Sequence, residues 1–382
     1  MRVLENKTEC YRPLWAEIDL SAIAHNLHQI KQLVAPDVMI MAIVKANGYG
    51  HGAVEVSKKL LSSGANWLGV ASPEEGIALR QAGIIAPILV LGAFLPGQQE
   101  AMIKYNLTPT ICHEHAAQVL SQAAQLCGKK ISVHIKVDTG MGRLGFLPEQ
   151  VIPVLKRIKE YPGLIVQGLF SHLATADEED RRYTLMQIER FRSIVSKLEE
   201  IQLLPPILHM ANSAGILNYP ESHWNMVRPG VVLYGMSPLI GPLPSRIKLK
   251  PALSLKTAII SVKRVPAGTA VSYGRTYHTS RETTLAVIPI GYADGYSRLL
   301  SDKAEVLFKG WRCPVVGRIC MDQCVIELGD LPAQIGDEVT IIGRDGHQEI
   351  TVNELAVKLG TINYEITCAI SERVPRIYKG KE

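Results

Sequence analysis

The sequence predicts an α/β fold: an N-terminal (β/α)8 barrel of the TIM type over residues 12–240, followed by a mostly β domain over residues 241–382. Three observations predict it. Short apolar runs alternate with helix-length amphipathic stretches through the first two thirds of the chain, and strands separated by helices pair in parallel. Eight such runs fit into about 200 residues, the repeat of a closed barrel. After about Met236 the helical pattern gives way to short β runs punctuated by Gly, Asp and Pro.

A helix over Ser21–Leu33 precedes the first run. The runs are Met39–Val44, Trp67–Ser72, Pro87–Gly92, Thr108–Cys112, Ile131–Asp138, Leu164–His172, Ile207–Asn212 and Asn225–Gly235. Between them, Ser72-Pro73-Glu74-Glu75 combines an N-cap, a proline at the first helical position and a capping-box carboxylate. Asp177–Ile201 has the pattern of a long helix. A doubly wound open sheet is the competing arrangement. In the second domain Gly241-Pro242-Leu243-Pro244-Ser245 reads as a turn-rich connection. Strand-like runs follow at Leu253–Val265, Thr283–Ile290, Ala304–Phe308, Val315–Leu328 and Glu338–Ile342. Thr351-Val352-Asn353-Glu354 signals one late helix by a second capping box. A strand near residues 12–20 is a candidate addition to this domain.

Composition narrows the function classes. Charged residues are 20% and hydrophobic residues 47% of the 382, which excludes a disordered chain. Lys and Arg number 41 against 36 Asp and Glu, a net charge of +5 with no basic stripe, so no nucleic-acid partner is expected. The 7 cysteines, Cys10, Cys112, Cys127, Cys313, Cys320, Cys324 and Cys368, are scattered, without a CxxC pair. They read as reduced thiols rather than a disulfide framework or a metal site. Cys320 and Cys324 are expected on one side of a strand, as core residues. The N-terminus lacks a signal-peptide core, and the most apolar stretch, Ile84–Leu95, falls short of the about 20 residues a membrane helix needs. A cytoplasmic protein is expected, with no membrane and no metal.

Barrel enzymes carry their reactive groups at the C-terminal ends of the strands. The first run ends at Lys45, inside Val44-Lys45-Ala46-Asn47-Gly48-Tyr49-Gly50-His51-Gly52. A lysine beside an apolar interior becomes a nucleophilic amine suited to Schiff-base chemistry, and the glycines let backbone approach a ligand. A solvated strand-end lysine is the plainer alternative. Lys136 and Asp138 end the fifth run, with Arg143 beyond; His172 ends the sixth, Asn212 and Ser213 the seventh, Arg228 and Gly230 the eighth. Asn212-Ser213-Ala214-Gly215 opens a helix, where backbone N–H groups favour an anion; an ordinary N-cap is compatible with the same residues. Gly140-Met141-Gly142-Arg143-Leu144-Gly145 matches G-x-G-x-x-G, but it does not sit in a first strand–turn–helix unit, so a dinucleotide site is not expected.

These residues carry a resemblance. The Lys45 segment is similar to the cofactor-lysine motif of alanine racemases, and Lys136-Val137-Asp138-Thr139-Gly140-Met141-Gly142-Arg143-Leu144-Gly145 resembles their next signature. Ser171-His172-Leu173-Ala174-Thr175-Ala176-Asp177, Ala211-Asn212-Ser213-Ala214 and Val227-Arg228-Pro229-Gly230 follow in the family's order. The β domain adds Val271-Ser272-Tyr273-Gly274, Gly291-Tyr292-Ala293-Asp294-Gly295, Cys320-Met321-Asp322-Gln323 and Ile362-Asn363-Tyr364-Glu365. The resemblance spans about Trp15 to Arg376.

The resemblance implies interconversion of L- and D-alanine on pyridoxal 5′-phosphate, supplying D-alanine for peptidoglycan. Lys45 would hold the cofactor and act as one base, with Tyr273 as the second base from the partner subunit of a homodimer with shared active sites. Arg228 would face the pyridine nitrogen, where many pyridoxal enzymes place a carboxylate, and His172 would orient Tyr273 or Arg228. Arg143 would contact cofactor and substrate carboxylate. Tyr49, Asn212, Ser213, Gly230, Val231 and Tyr364 would serve cofactor binding. The Met321 N–H, beside Asp322, would take the substrate carboxylate, and Tyr292 and Tyr364 would narrow the entrance. Lys136 matches a position carbamylated in some members. The alternatives are a broad-specificity amino-acid racemase of the same fold, a fold-related decarboxylase and a non-catalytic pyridoxal-phosphate carrier.

Overall fold

The computed structural model describes residues 11–239, 241 and 243–380. Cys10 lies outside them, as do Ile240 and Pro242, where the turn-rich connection was expected. The chain divides into two compact units. One comprises Ala22–Gly48 and Gly52–Lys250; the other comprises the chain up to Ser21, Tyr49–His51 and everything from Pro251.

The β-rich unit is built around a ten-stranded sheet. Its first strand, β1 (Leu14–Asp19), lies between Leu253–Ala258, to which it is antiparallel, and Arg376–Lys379, to which it is parallel. The N-terminal segment therefore joins this sheet's interior, which explains why Leu14, Ala16 and Ile18 are fully buried. The helix Val352–Leu359 starts where expected, with the Thr351 hydroxyl accepting the Glu354 N–H at 3.0 Å.

The other unit is a closed parallel barrel of eight strands. In order these are β2 (Met39–Ile43), β3 (Trp67–Val70), β4 (Ile88–Val90), β5 (Thr108–Ile111), β6 (Ile131–Lys136), β7 (Leu164–Phe170), β8 (Ile207–His209) and β9 (Met226–Val227). β9 closes onto β2 through Met39↔Met226 and Ile40↔Val227. Helices cover the outside, so the strands are apolar on both faces and appear in the sequence as continuous runs rather than alternating ones. The open-sheet alternative is excluded by the closure.

Several elements differ from the expected boundaries. The helix expected over Asp177–Ile201 spans Arg182–Glu200, because the Asp180 carboxylate accepts the Arg182 N–H at 3.0 Å and holds the acidic run outside the helix. The run Asn225–Gly235 is a strand only at Met226–Val227; Pro229 has no N–H to donate, and Val231–Tyr234 forms a 3-10 turn instead. The run Val315–Leu328 is two strands, Trp311–Val316 and Cys324–Gly329, parted by a loop that begins at Gly317 with φ +69°. Cys320 therefore lies in that loop, not in a strand with Cys324, which alone of the two is buried.

Candidate active site

Parallel strands put every strand's C-terminal end on one rim. That rim carries Lys45 after β2, Lys136 and Arg143 at and after β6, His172 after β7, Asn212 and Ser213 after β8, and Arg228, Gly230 and Val231 after β9.

Lys45 opens an unusual turn. Ala46, Asn47 and Gly48 all adopt left-handed helical angles, with φ of +51°, +52° and +62°. Each non-glycine residue held there costs roughly 1–2 kcal/mol, so the surrounding structure must impose the shape. The Gly48 N–H bonds to the Val44 carbonyl at 2.8 Å and the Gly52 N–H to the Asn47 carbonyl at 2.8 Å. The Asn47 side chain accepts the Ala53 N–H at 2.9 Å. The Glu75 carboxylate accepts the Ala46 N–H at 2.7 Å and the Ala71 N–H at 2.6 Å. The expected capping box does not form: Ser72 makes no side-chain cap bond, and Glu75 takes the Ala71 and Ala46 N–H groups instead of its N-cap's own.

The glycine-rich segment after β6 wraps a carboxylate of its own. Asp138 accepts the N–H groups of Gly140, Gly142 and Arg143 at 2.9, 3.0 and 3.0 Å. Burial works to raise this carboxyl's pKa, but the backbone donors outweigh it and hold the group below its usual value. Gly145, at φ +121°, has no room for a Cβ, which would lie 2.8 Å from the Asp138 nitrogen. The G-x-G-x-x-G match is therefore explained by loop closure and the positioning of Arg143.

Arg228, 3% exposed, organises the floor of the rim. It donates to the Ser171 carbonyl at 2.7 Å, the Met210 carbonyl at 3.0 Å, His172 Nδ1 at 3.2 Å and His209 Nδ1 at 2.8 Å. A guanidinium has donors only, so each histidine must accept on Nδ1 and carry its proton on Nε2. His209 Nε2 then donates to His134 Nδ1 at 2.8 Å. His134 Nε2 is left buried with no partner among the described residues. Burial pulls Arg228 down to about 9, which leaves it cationic at neutral pH. Its Nε has no partner among the described residues and remains available to an acceptor.

Burial, reinforced by Arg228, depresses His134 to about 3 and holds His209 well below the usual imidazole range. His172 is depressed by burial and by Lys136, Arg228, Arg143 and Lys45, which shows how closely these four basic side chains converge. Lys136, 7% exposed, has its amine over the Phe170 ring at 4.2 Å; burial and then Arg228 push it well below the usual lysine range. It makes no salt bridge among the described residues.

The depressed histidines give a pH dependence with a definite sign. Below about pH 6.5 an unfolded chain binds protons that folded His134, His172 and His209 refuse, so stability falls with falling pH. The expected slope is about 1 kcal/mol per pH unit for each histidine through that window. Denaturant midpoints of the cofactor-free protein should drop steadily between about pH 6.5 and 5. A flat profile there would remove the neutral-histidine chain.

In the β-rich unit, the Tyr292 N–H bonds to the Cys320 carbonyl at 3.1 Å and the Ala293 N–H to the Met321 carbonyl at 3.1 Å, knitting the Tyr292 and Met321 loops together. Buried Asp294 anchors both, through Arg12 and through the Gly291 N–H at 3.0 Å; Arg12 also donates to the Asp322 carbonyl at 3.0 Å. Tyr49 and Tyr364 meet edge to face at 6.3 Å between ring centroids, and burial raises the Tyr49 phenol pKa. Tyr273 sits on a separate loop between the short strands Ala270–Val271 and Tyr277–His278. It is 71% exposed. The adjoining Ser272 hydroxyl, donating to the Arg318 carbonyl at 2.6 Å, fixes this loop.

Sequence reasoning missed Glu75 as a site residue, and missed His134, His209, Asp294 and Arg12. His134 was within reach: it precedes Lys136 by two positions on β6 and so shares its face. Among the described residues no His, Cys, Asp and Glu group is arranged to hold a metal ion.

The family models named for the alanine racemase N-terminal and C-terminal domains match residues 18–238 and 252–378. An alanine racemase of Halothermothrix orenii is 46% identical over 97% of this chain and 98% of its own. One from Methanococcus maripaludis is 48% identical over 96% and 98%. The solved structure of an alanine racemase of Clostridium difficile 630 aligns with a TM-score of 0.93 at 41% identity, covering 97% of both chains. With both halves matched in order and relatives aligned along nearly the whole length, the chain belongs to the alanine racemase family.

Proposed function

We propose that the protein interconverts L- and D-alanine by two-base proton transfer, with Lys45 and Tyr273 as the bases and pyridoxal 5′-phosphate as cofactor. The observation that carries this reading is the cationic rim around Lys45, floored by an arginine rather than a carboxylate. Its donors fit the cofactor. Lys45 offers an amine, Arg228 Nε a donor for a ring nitrogen, and Ser213, Gly230 and Val231 a turn for the phosphate, in which the Ser213 hydroxyl already fixes the Gly230 N–H at 2.9 Å. Asn212 supports that turn by capping the Gly215 N–H at 2.9 Å. Tyr49 and Tyr364, edge to face in the β-rich unit, are the remaining residues proposed for cofactor binding.

Pyridoxal 5′-phosphate held by these residues would supply an electron sink for the pair left by the broken Cα–H bond. Lys45 removes the α-proton of D-alanine and Tyr273 delivers one to the opposite face; in reverse, Tyr273 removes the proton of L-alanine. Arg228 has no acceptor for a protonated ring nitrogen and would donate to it instead, keeping it unprotonated, which limits how far charge spreads and disfavours transamination. His172, with its proton on Nε2, can donate toward the reacting groups. Arg143 and the Met321 N–H hold the substrate carboxylate, with Asp322 beside the latter. Tyr292 and Tyr364 narrow the entrance to a methyl side chain. Burial and then Arg228 hold the Lys136 amine well below the usual lysine range, which favours its modification by carbon dioxide; carbamylation would give Arg143 an anionic partner.

Tyr273 would act from a partner subunit, in a C2 dimer with two shared sites. Its exposure supports this, since a base needs a covered environment that its own loop does not provide. Synthesis of D-alanine for peptidoglycan in the cytoplasm is the corresponding role; no helix among the described residues is long and apolar enough to cross a membrane.

Two experiments test this reading. Borohydride treatment of the protein with pyridoxal 5′-phosphate should fix the cofactor to Lys45, read by peptide mass. No label, or a label elsewhere, would end the cofactor assignment. Mixing inactive Lys45→Ala and Tyr273→Phe subunits should recover activity, because one of two shared sites is then intact. No recovery despite confirmed subunit exchange would place both bases in one chain.

A further inference from the structure

We propose that Glu75 is a positioning residue for Lys45, clamping the left-handed turn that carries the lysine to the loop after β3. This rests on the functional reading of Lys45 given above. Glu75 is the third residue of the helix Pro73–Gln81, the position from which a capping-box carboxylate reaches back to its own N-cap residue. Here it does something else. One oxygen accepts the Ala71 N–H at 2.6 Å and the other accepts the Ala46 N–H at 2.7 Å.

The Ala46 N–H belongs to the peptide that joins it to Lys45. Ala46 is also the first residue of the strained segment, and alanine has no intrinsic reason to stand at φ +51°. Carboxylate-to-amide bonds of this length are charge-assisted, stronger than neutral ones, and directional. The opposite side of the turn is held by Asn47, whose side chain accepts the Ala53 N–H at 2.9 Å. The peptide after Lys45 is thus pinned to one neighbouring strand end and the following residue to the next helix. Neither bond involves the amine, so both fix the backbone from which it projects. A glutamate that served only to cap its own helix would have no cause to spend its second oxygen on residue 46.

The test uses Glu75→Gln and Glu75→Ala in the full-length protein. Glutamine keeps the shape but has one acceptor and presents an NH2 to the other N–H. Attachment of added pyridoxal 5′-phosphate to Lys45, trapped with borohydride and timed by peptide mass, should slow by roughly 10- to 100-fold. The kcat should fall by a similar factor, while KM for alanine stays within about threefold. In the wild-type protein the Ala46 amide should be a slow hydrogen exchanger. A helix cap alone would lower Tm and leave the attachment rate unchanged. Glu75→Gln attaching and turning over like the wild type would overturn the proposal. So would free exchange of the Ala46 amide, a measurement that stands even if Glu75→Ala does not fold. Absence of attachment in the wild type would sink the functional reading itself, and this proposal with it.

Discussion

Replacing Lys45 with alanine is expected to lower racemisation by at least about 10⁴-fold. The substitution removes two functions at once, the covalent hold on the cofactor and the base for the D-alanine proton. Groups that act as one unit do not add, so further loss of Tyr273 should change little. The fold should survive. The turn is held by the Gly48 and Gly52 N–H bonds and by Asn47 and Glu75, none of which uses the lysine amine. A coupled assay for each enantiomer, with a melting curve as control, measures the effect. A folded Lys45→Ala protein within tenfold of wild type would remove Lys45 from the chemistry.

Replacing Tyr273 with phenylalanine is expected to cut racemisation by roughly 10²–10⁴-fold. At 71% exposure in the chain, the phenol hydroxyl contributes little to stability, so melting should shift hardly at all. The enantiomers have equal free energy, so the net kcat/KM must fall equally in both directions. The asymmetry lies in the separate proton removals: the variant should lose removal of the L-alanine proton and keep that of the D-alanine proton, which Lys45 performs.

What the sequence made legible, and what it did not, follows from the range of the forces involved. The barrel was readable because eight buried parallel strands leave continuous apolar runs that few other folds produce. The rim residues Lys45, Lys136, His172, Asn212 and Arg228 could be found because strand ends are fixed by those same runs. The β9 strand was overestimated because a buried 3-10 turn, Val231–Tyr234, is as apolar as a strand. Glu75 was misassigned because a capping box is a local pattern, and its actual partner, Ala46, lies 29 residues away. His209 and His134 escaped notice because one histidine on an apolar strand carries no mark of its partner. Only the closure of the barrel brings Arg228, His209 and His134 into line. Asp294 and Arg12 are 282 residues apart, and only the sheet joins them.

The central claim is that two different side chains serve the two faces of the α-carbon. Exchange of the alanine α-proton for deuterium in heavy water, followed in the Tyr273→Phe protein for each enantiomer, tests it most directly. The account predicts that D-alanine gains deuterium and remains D-alanine, while L-alanine neither exchanges nor inverts at a comparable rate. Equal exchange of both enantiomers, or exchange of L-alanine alone, would contradict the assignment of Lys45 to one face and Tyr273 to the other.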